Sequence, residues 1–288
     1  MKIFITGVGG QLGHDVMNEL AKRGYEGVGS DIAPEYSGAA DGSAVTEMPY
    51  VQLDITDKEA VEKVLTEIKP DVVVHCAAWT AVDLAEDDDK VEKVRKVNVT
   101  GTENIALTCK KLDCKTYKPL NVYGETKLGG ELAVSENLEK YFIVRIAWVF
   151  GVNGKNFIKT MLNLGKTHDK LTVVCDQIGT PTYTYDLARL LVDMIETEKY
   201  GYYHATNEGG YISWYDFTKE IFRQAIEQGH TEYAKVEVKP VTTAEYGASK
   251  AKRPFNSRLD KSKLVENGFK PLPTWQDALG RYLKEIEF

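Results

Sequence analysis

Short runs of β-branched and apolar residues alternate with amphipathic helical stretches through the first half of the chain, the pattern of βαβ units on a parallel sheet. Residues 2–6 read as a first strand and 11–23 as the helix after it. Strands follow at 25–30 and 51–54, with a helix at 58–69. Residues 71–77 hold three consecutive valines and predict a strand buried on both faces. The acidic run from Glu86 to Asp89 opens a long helix reaching about residue 111, its carboxylates suited to the positive end of the helix dipole. A solvated helix start explains that run better than a metal site does. A helix at 123–137 and a buried strand at 141–150 complete this half. Beyond it the spacing predicts helices at 156–164, 186–199, 215–228 and 275–286 and short strands at 171–175, 202–205 and 235–238. One interval breaks the alternation: residues 112–122, where a strand is due, carry mostly Asp, Cys, Lys, Thr, Tyr, Pro and Asn.

The turn after the first strand gives this pattern a chemical purpose. Thr6-Gly7-Val8-Gly9-Gly10-Gln11-Leu12-Gly13 places glycines at 7, 10 and 13 between strand and helix. The first two permit a tight turn and close approach of bare backbone to a diphosphate, the third lets helix and sheet pack closely, and the helix-terminal N–H groups meet the phosphates. A merely structural turn competes with this reading, but strand, turn and helix in succession favour dinucleotide binding. Asp31 ends the second strand, where a carboxylate accepts hydrogen bonds from an adenosine ribose. Its charge repels a 2′-phosphate and favours NADH over NADPH; a loop-initiating Asp is the alternative. Asp54-Ile55 and Ala77-Ala78 end the third and fourth strands, at the carboxyl edge where open sheets bind ligands. Plain packing would use the same small residues. The fold class expected is α/β, a Rossmann-type doubly wound parallel sheet over residues 1–151. A smaller C-terminal α/β substrate lobe would occupy 152–288, with segments returning to the main domain.

Composition narrows the partners. A formal net charge of −7 gives no field that would draw the whole protein to nucleic acid or an anionic membrane, so a phosphate ligand must be held locally. Cys76, Cys109, Cys114 and Cys175 lack metal-ligand spacing and suit a reducing cytoplasm. The first apolar run is too short for a signal peptide, and no stretch is long and apolar enough to span a bilayer. Tyr123-Gly124-Glu125-Thr126-Lys127 sets a phenol and an ammonium four residues apart on one helix face. Reduction of a ketone leaves an alkoxide that needs a proton, and a tyrosine supplies it if a nearby cation lowers its pKa from about 10. A solvated surface pair is the plain alternative, made less apt by its position after five βα elements. Trp148, following a buried strand where the sheet edge opens, offers a flat apolar wall to a sugar or base, or simply packs in the core. The forked donors of Arg253 suit a diphosphate, with an ordinary surface arginine as the alternative.

These segments together resemble the dTDP-4-dehydrorhamnose reductase family of extended short-chain dehydrogenases. The likeness is carried by the glycine turn, Leu53-Asp54-Ile55-Thr56-Asp57, the run from His75 to Asp83, Asn98-Val99-Thr100-Gly101-Thr102, and Pro119 to Lys127. It continues in Arg145 to Gly151, Asp176 to Thr182 and Arg253 to Asp260. The resemblance implies reduction of the C4 ketone of dTDP-4-dehydro-L-rhamnose with NADPH or NADH. It assigns Gly10, Gln11, Leu12, Asp31, Asp54, Ile55, Ala77, Ala78, Thr80, Tyr123 and Lys127 to the cofactor beside Gly7 of the turn, and Trp148 to the substrate. Tyr123 and Lys127 are the catalytic pair. Asn98 matches the family's helix motif and orders a water at the site or makes a plain helix-interior contact. The partner implied is a nucleotide sugar, with no nucleic acid, membrane or metal; relatives include homodimers, and the sequence does not fix the assembly.

The family's strand reading roughly Ser-Thr-Asp-Tyr-Val-Phe, with a hydroxyl residue that bonds the ketone, is absent between the two helices. An empty central slot would leave neighbouring N–H and C=O groups unpaired at about 1–3 kcal/mol each. The expectation is therefore that about twenty or more residues are missing from the sequence near 112–118, since buried backbone groups must be paired. Thr116 is not assigned the vacant role. Two other readings stay open: another nucleotide-sugar reductase, epimerase or dehydratase of the same type, and a non-catalytic cofactor-binding subunit resembling methionine adenosyltransferase β. The missing hydroxyl residue favours the second; Tyr123 and Lys127 argue against it.

Overall fold

The computed structural model describes residues 1–36, 46–112, 115–120, 124–247, 251 and 253–288, with 115–120, 124 and 125 described by their backbone alone. The chain opens with β1 (Lys2–Thr6), α1 (Gln11–Lys22), β2 (Glu26–Asp31), β3 (Tyr50–Gln52), α2 (Lys58–Ile68) and β4 (Val72–His75). After the short helix α3 (Val82–Ala85) come α4 (Asp88–Arg95), a π-helical turn (Lys96–Thr100) and α5 (Gly101–Leu112). Then follow β5 (Lys115–Leu120), α6 (Gly124–Ser135), β6 (Tyr141–Arg145), β7 (Val149–Phe150) and α7 (Phe157–Thr167). The next segment holds β8 (Lys170–Val174), β9 (Ile178–Gly179), β10 (Thr182–Tyr183), α8 (Thr184–Ile195), β11 (Gly201–His204), β12 (Asn207–Glu208) and β13 (Ile212–Ser213). The chain closes with α9 (Trp214–Glu227), β14 (Glu237–Val241), α10 (Thr243–Tyr246), α11 (Ser262–Glu266), β15 (Leu272–Thr274) and α12 (Trp275–Glu285).

Seven parallel strands form the main sheet in the order β11-β6-β5-β4-β1-β2-β3. β1 lies mid-sheet, so Ile3, Phe4 and Ile5 are fully buried: Ile3 and Ile5 join the core under α1 and α8, and Phe4 the core under α2 and α5. That two-sided burial is why these strands read as unbroken apolar runs. On α1, Val16, Met17 and Leu20 face the sheet, each such side chain contributing about 1.5–3 kcal/mol on burial. The order reverses between β1 and β4, whose carboxyl ends open the crevice where such sheets bind ligands.

Between α5 and α6 the central slot of the sheet is held by β5, which pairs with β4 over Lys115 to Tyr117 and with β6 over Thr116 to Leu120. Strand propensity there is weak, but two neighbouring strands supply ready ladders, and tertiary context overrides propensity in a central slot. Pro119, which has no N–H to give, falls beyond the part paired with β4. The helix expected from the acidic run begins at Asp88 and is interrupted by the π turn, a widening common at functional sites.

Residues beyond 151 build a second core around Phe150, Phe217, Tyr233 and Tyr282, with α7, α9 and α12 packed beside the parallel pair β8–β14. Two of their elements belong to the main sheet layer: α8 packs along α1, and β11 extends the sheet beside β6.

Candidate functional site

The glycine turn is shaped by contacts that admit no side chain. Gly7 takes φ +74°, and a Cβ there would lie 2.5 Å from the Ala77 nitrogen; one on Gly13 would lie 2.2 Å from the Gly7 oxygen. Gly7 and Val8 give their N–H groups to the Ser30 carbonyl at 2.8 and 3.2 Å, tying the turn to β2. The N-cap of α1 is Gly10, which has no side chain to cap the helix, and the first turn carries no acidic residue. The end of α1 thus keeps the N–H groups and the positive dipole end that suit a diphosphate.

From this turn a cleft of about 870 Å³ runs along the carboxyl edge of the sheet. Gly7, Gly10, Gln11, Leu12, Asp31, Asp54, Ile55, Ala77, Ala78, Thr80 and Lys127 all line it, so the structure brings together every described residue assigned to the cofactor. Asp31 is fixed at its rim: Oδ2 accepts the Gly9 N–H at 2.9 Å and Oδ1 the Ile32 N–H at 2.7 Å. Asp54 turns one oxygen back to the Thr56 N–H and hydroxyl at 2.9 and 2.8 Å. The residues present therefore fit a dinucleotide: bare amides for the phosphates, a rim carboxylate for a ribose, and small residues along the floor.

Lys127 is 3% exposed, and that burial lowers its pKa to about 8. Its Nζ lies 3.5 Å from Asn98 Oδ1. Asn98, fully buried on the π turn, also accepts the Trp79 N–H at 2.9 Å and donates to the Trp79 carbonyl and the Thr126 hydroxyl. It thus clamps the loop after β4 to α6, a role the sequence left open between water ordering and a plain contact. Tyr123 lies outside the described residues, as do Cys114 and Lys252.

Two assigned substrate residues have other partners in the structure. Trp148, at φ +50°, stacks on Trp214 with ring centroids 3.7 Å apart, and the Trp148 ring occupies the space a Cβ on Gly179 would need. It stands against the second core and not in the cofactor cleft. Arg253 donates to Asp83 at 2.7 Å, while Asp83 also accepts the Ala251 N–H at 3.2 Å, so this arginine joins the late segment to α3. Sequence reasoning missed Asn153, whose amide donates to the Gly9 and Gly10 carbonyls at 3.1 and 3.3 Å. That tether fixes the Gly9 and Gly10 peptides to the segment that follows β7. It also missed Tyr36, Tyr50 and Lys155 in the lining. Only the Asn153-Gly154 turn signal hinted at any of these.

The parallel sheet, its bare turn and the floored cleft define a dinucleotide-binding protein of the Rossmann class. A family model described as the RmlD substrate binding domain matches residues 1–288, and the chain belongs to that family. It is 36% identical to the dTDP-4-dehydrorhamnose reductase of Aggregatibacter actinomycetemcomitans over 96% of this chain and 97% of that protein. That alignment runs over 308 residues, against 288 here, so the relative has positions with no counterpart in this chain. A crystal structure of a dTDP-4-dehydrorhamnose reductase from Clostridium acetobutylicum matches with a TM-score of 0.85 at 37% identity, covering 99% of both chains. The Bacillus anthracis enzyme, crystallised in complex with NADP, matches with a TM-score of 0.82 at 33% identity over 99% of each.

Proposed function

We propose that this chain reduces the C4 ketone of dTDP-4-dehydro-L-rhamnose to dTDP-L-rhamnose, using NADH or NADPH. The observation that carries the reading is Lys127, buried in the lining of the same cleft as the bare glycine turn, in a chain similar along its length to reductases of that name. When bound, the reduced nicotinamide supplies the hydride. The turn and the end of α1 hold the diphosphate, Asp31 the adenosine ribose, and Ala77 and Ala78 leave room along the floor. Tyr123 gives its hydroxyl proton to the oxygen of the new alcohol, and the Lys127 ammonium stabilises the phenolate left behind.

Among acid and base candidates, the closeness of Lys127 to the Tyr123 end of α6 favours turnover over a purely binding role. The dinucleotide preferred is NADH: Asp31 and Glu35 line the ribose end, and no lysine or arginine occurs between Arg23 and Lys58 to receive a 2′-phosphate. Trp148 and Arg253 are assigned to the substrate, the first as a wall backed by Trp214, the second shared with Asp83. The dinucleotide domain is assigned to 1–151 and the substrate lobe mainly to 152–288, with segments returning to the main domain, in a cytoplasmic protein. Among the described residues no helix is long and apolar enough to cross a membrane. The full chain is expected to oxidise NADH in the presence of the 4-keto sugar, with the rhamnosyl product identified by NMR. Tyr123→Phe should slow the reaction at least about a hundredfold, and an unaltered rate would remove the proton-donor assignment. Turnover only with UDP- or GDP-sugars would move the substrate assignment elsewhere.

A further inference from the structure

Beneath the cleft a buried file of hydrogen bonds joins the floor to the clamp on Lys127. Thr6 Oγ1 lies 2.6 Å from His75 Nδ1, His75 Nε2 lies 3.2 Å from Thr102 Oγ1, and the Thr102 hydroxyl donates to the backbone carbonyl of Asn98, one helical turn back, at 2.8 Å. Thr6, His75, Asn98 and Thr102 are all at most 1% exposed. Because Thr102 commits its proton to that carbonyl, its oxygen accepts from the ring, so Nε2 carries a hydrogen. Nδ1 of the neutral ring then accepts from Thr6, whose own oxygen receives the Ala77 N–H at 3.3 Å. One arm of the imidazole therefore reaches the floor at Ala77, and the other reaches Asn98, which holds both Trp79 and Lys127.

We propose that His75 is a positioning residue for the reduction: through Thr102 it fixes Asn98 and hence Lys127, and through Thr6 it fixes Ala77. The inference rests on the reductase reading. Buried polar files of this kind set geometry more sharply than apolar packing does, since every member has a direction to satisfy. Misplacement of a reacting group by about 1 Å can cost on the order of a hundredfold in rate, so an arm's loss should be readable in kcat.

Amide side chains separate the two arms. Asn at 75 presents its oxygen where Nδ1 stands and keeps the Thr6 arm; Gln presents its nitrogen where Nε2 stands and keeps the Thr102 arm. His75→Asn is expected to lower kcat with the 4-keto sugar about tenfold or more while the dissociation constant for NADH, read by nucleotide fluorescence, stays within about threefold. His75→Gln should recover most of kcat. Thr102→Val should reproduce the Asn variant and move the alkaline limb of the pH profile to lower pH, because Lys127 loses a well-held acceptor; Thr102→Ser should restore both. The ¹⁵N spectrum of the wild-type imidazole should show hydrogen on Nε2. If His75 variants fail to fold, the Thr102 pair and the tautomer decide. Wild-type kcat and pH profile in both His75→Asn and Thr102→Val, or hydrogen on Nδ1 alone, would overturn the proposal. Wild-type protein that binds NADH but leaves the sugar unreduced would instead overturn the reductase reading, and this inference with it.

Discussion

Lys127 is the side chain on which the pH behaviour turns. Burial lowers its pKa to about 8, so the ammonium proposed to stabilise a Tyr123 phenolate is present below that value and lost above it. The kcat/KM profile should therefore fall on the alkaline side near pH 8, and Lys127→Met should remove most activity while leaving the fold melting cooperatively. Asp31 sets a second residue-scale outcome. Two like charges about 4 Å apart repel by about 4 kcal/mol at an effective dielectric constant of 20, and one-third of that is already a tenfold change in affinity. Asp31→Ser should thus tighten NADPH binding at least about tenfold and weaken NADH, measured by calorimetric titration. Asn153 shows what a sequence hides at this scale. Its partner carbonyls lie on Gly9 and Gly10, more than a hundred positions away, and the local Asn153-Gly154 turn signal says nothing of them.

At the scale of elements, the seam between α1 and α8 holds a buried carboxyl with one oxygen hydrogen-bonded to Thr184 and the other unsatisfied among the described residues. Asp15 is 8% exposed, its Oδ2 has no hydrogen-bond partner among the described residues, and burial raises its pKa to about 7. Since the folded value lies above the unfolded one, the folded chain holds a proton the unfolded chain gives up. Stability from this group falls as pH rises from about 4 to about 7, by up to about 1.4 kcal/mol per unit, and levels off above. Asp15→Asn should therefore raise Tm more at pH 8 than at pH 4 in scanning calorimetry. The fold's first elements were legible because buried parallel strands write continuous apolar runs and amphipathic helices write a 3.6-residue period. β5 was not legible, because its Lys, Tyr and Pro residues take their strand conformation from β4 and β6 and announce none of it themselves. Gly13, by contrast, could be read as a packing glycine, and Gly13→Ala should destabilise the fold by about 1–3 kcal/mol, since its Cβ meets backbone.

For the whole molecule, the proposed division at residue 151 is no boundary in the packing. α8 covers the apolar face of α1, and β11 closes one edge of the sheet, yet both come from the later half. A chain ending at residue 151 would lose both α8 beside α1 and the edge strand β11, and should show no cooperative unfolding transition by circular dichroism. The Asn153 tether crosses the same division, from the segment entering the later half to the glycine turn. Two amide hydrogen bonds thus fasten the start of the later half to the first turn of the chain, so Asn153→Ala should loosen both ends of that seam together, read as faster amide exchange at Gly9, Gly10 and Gly154.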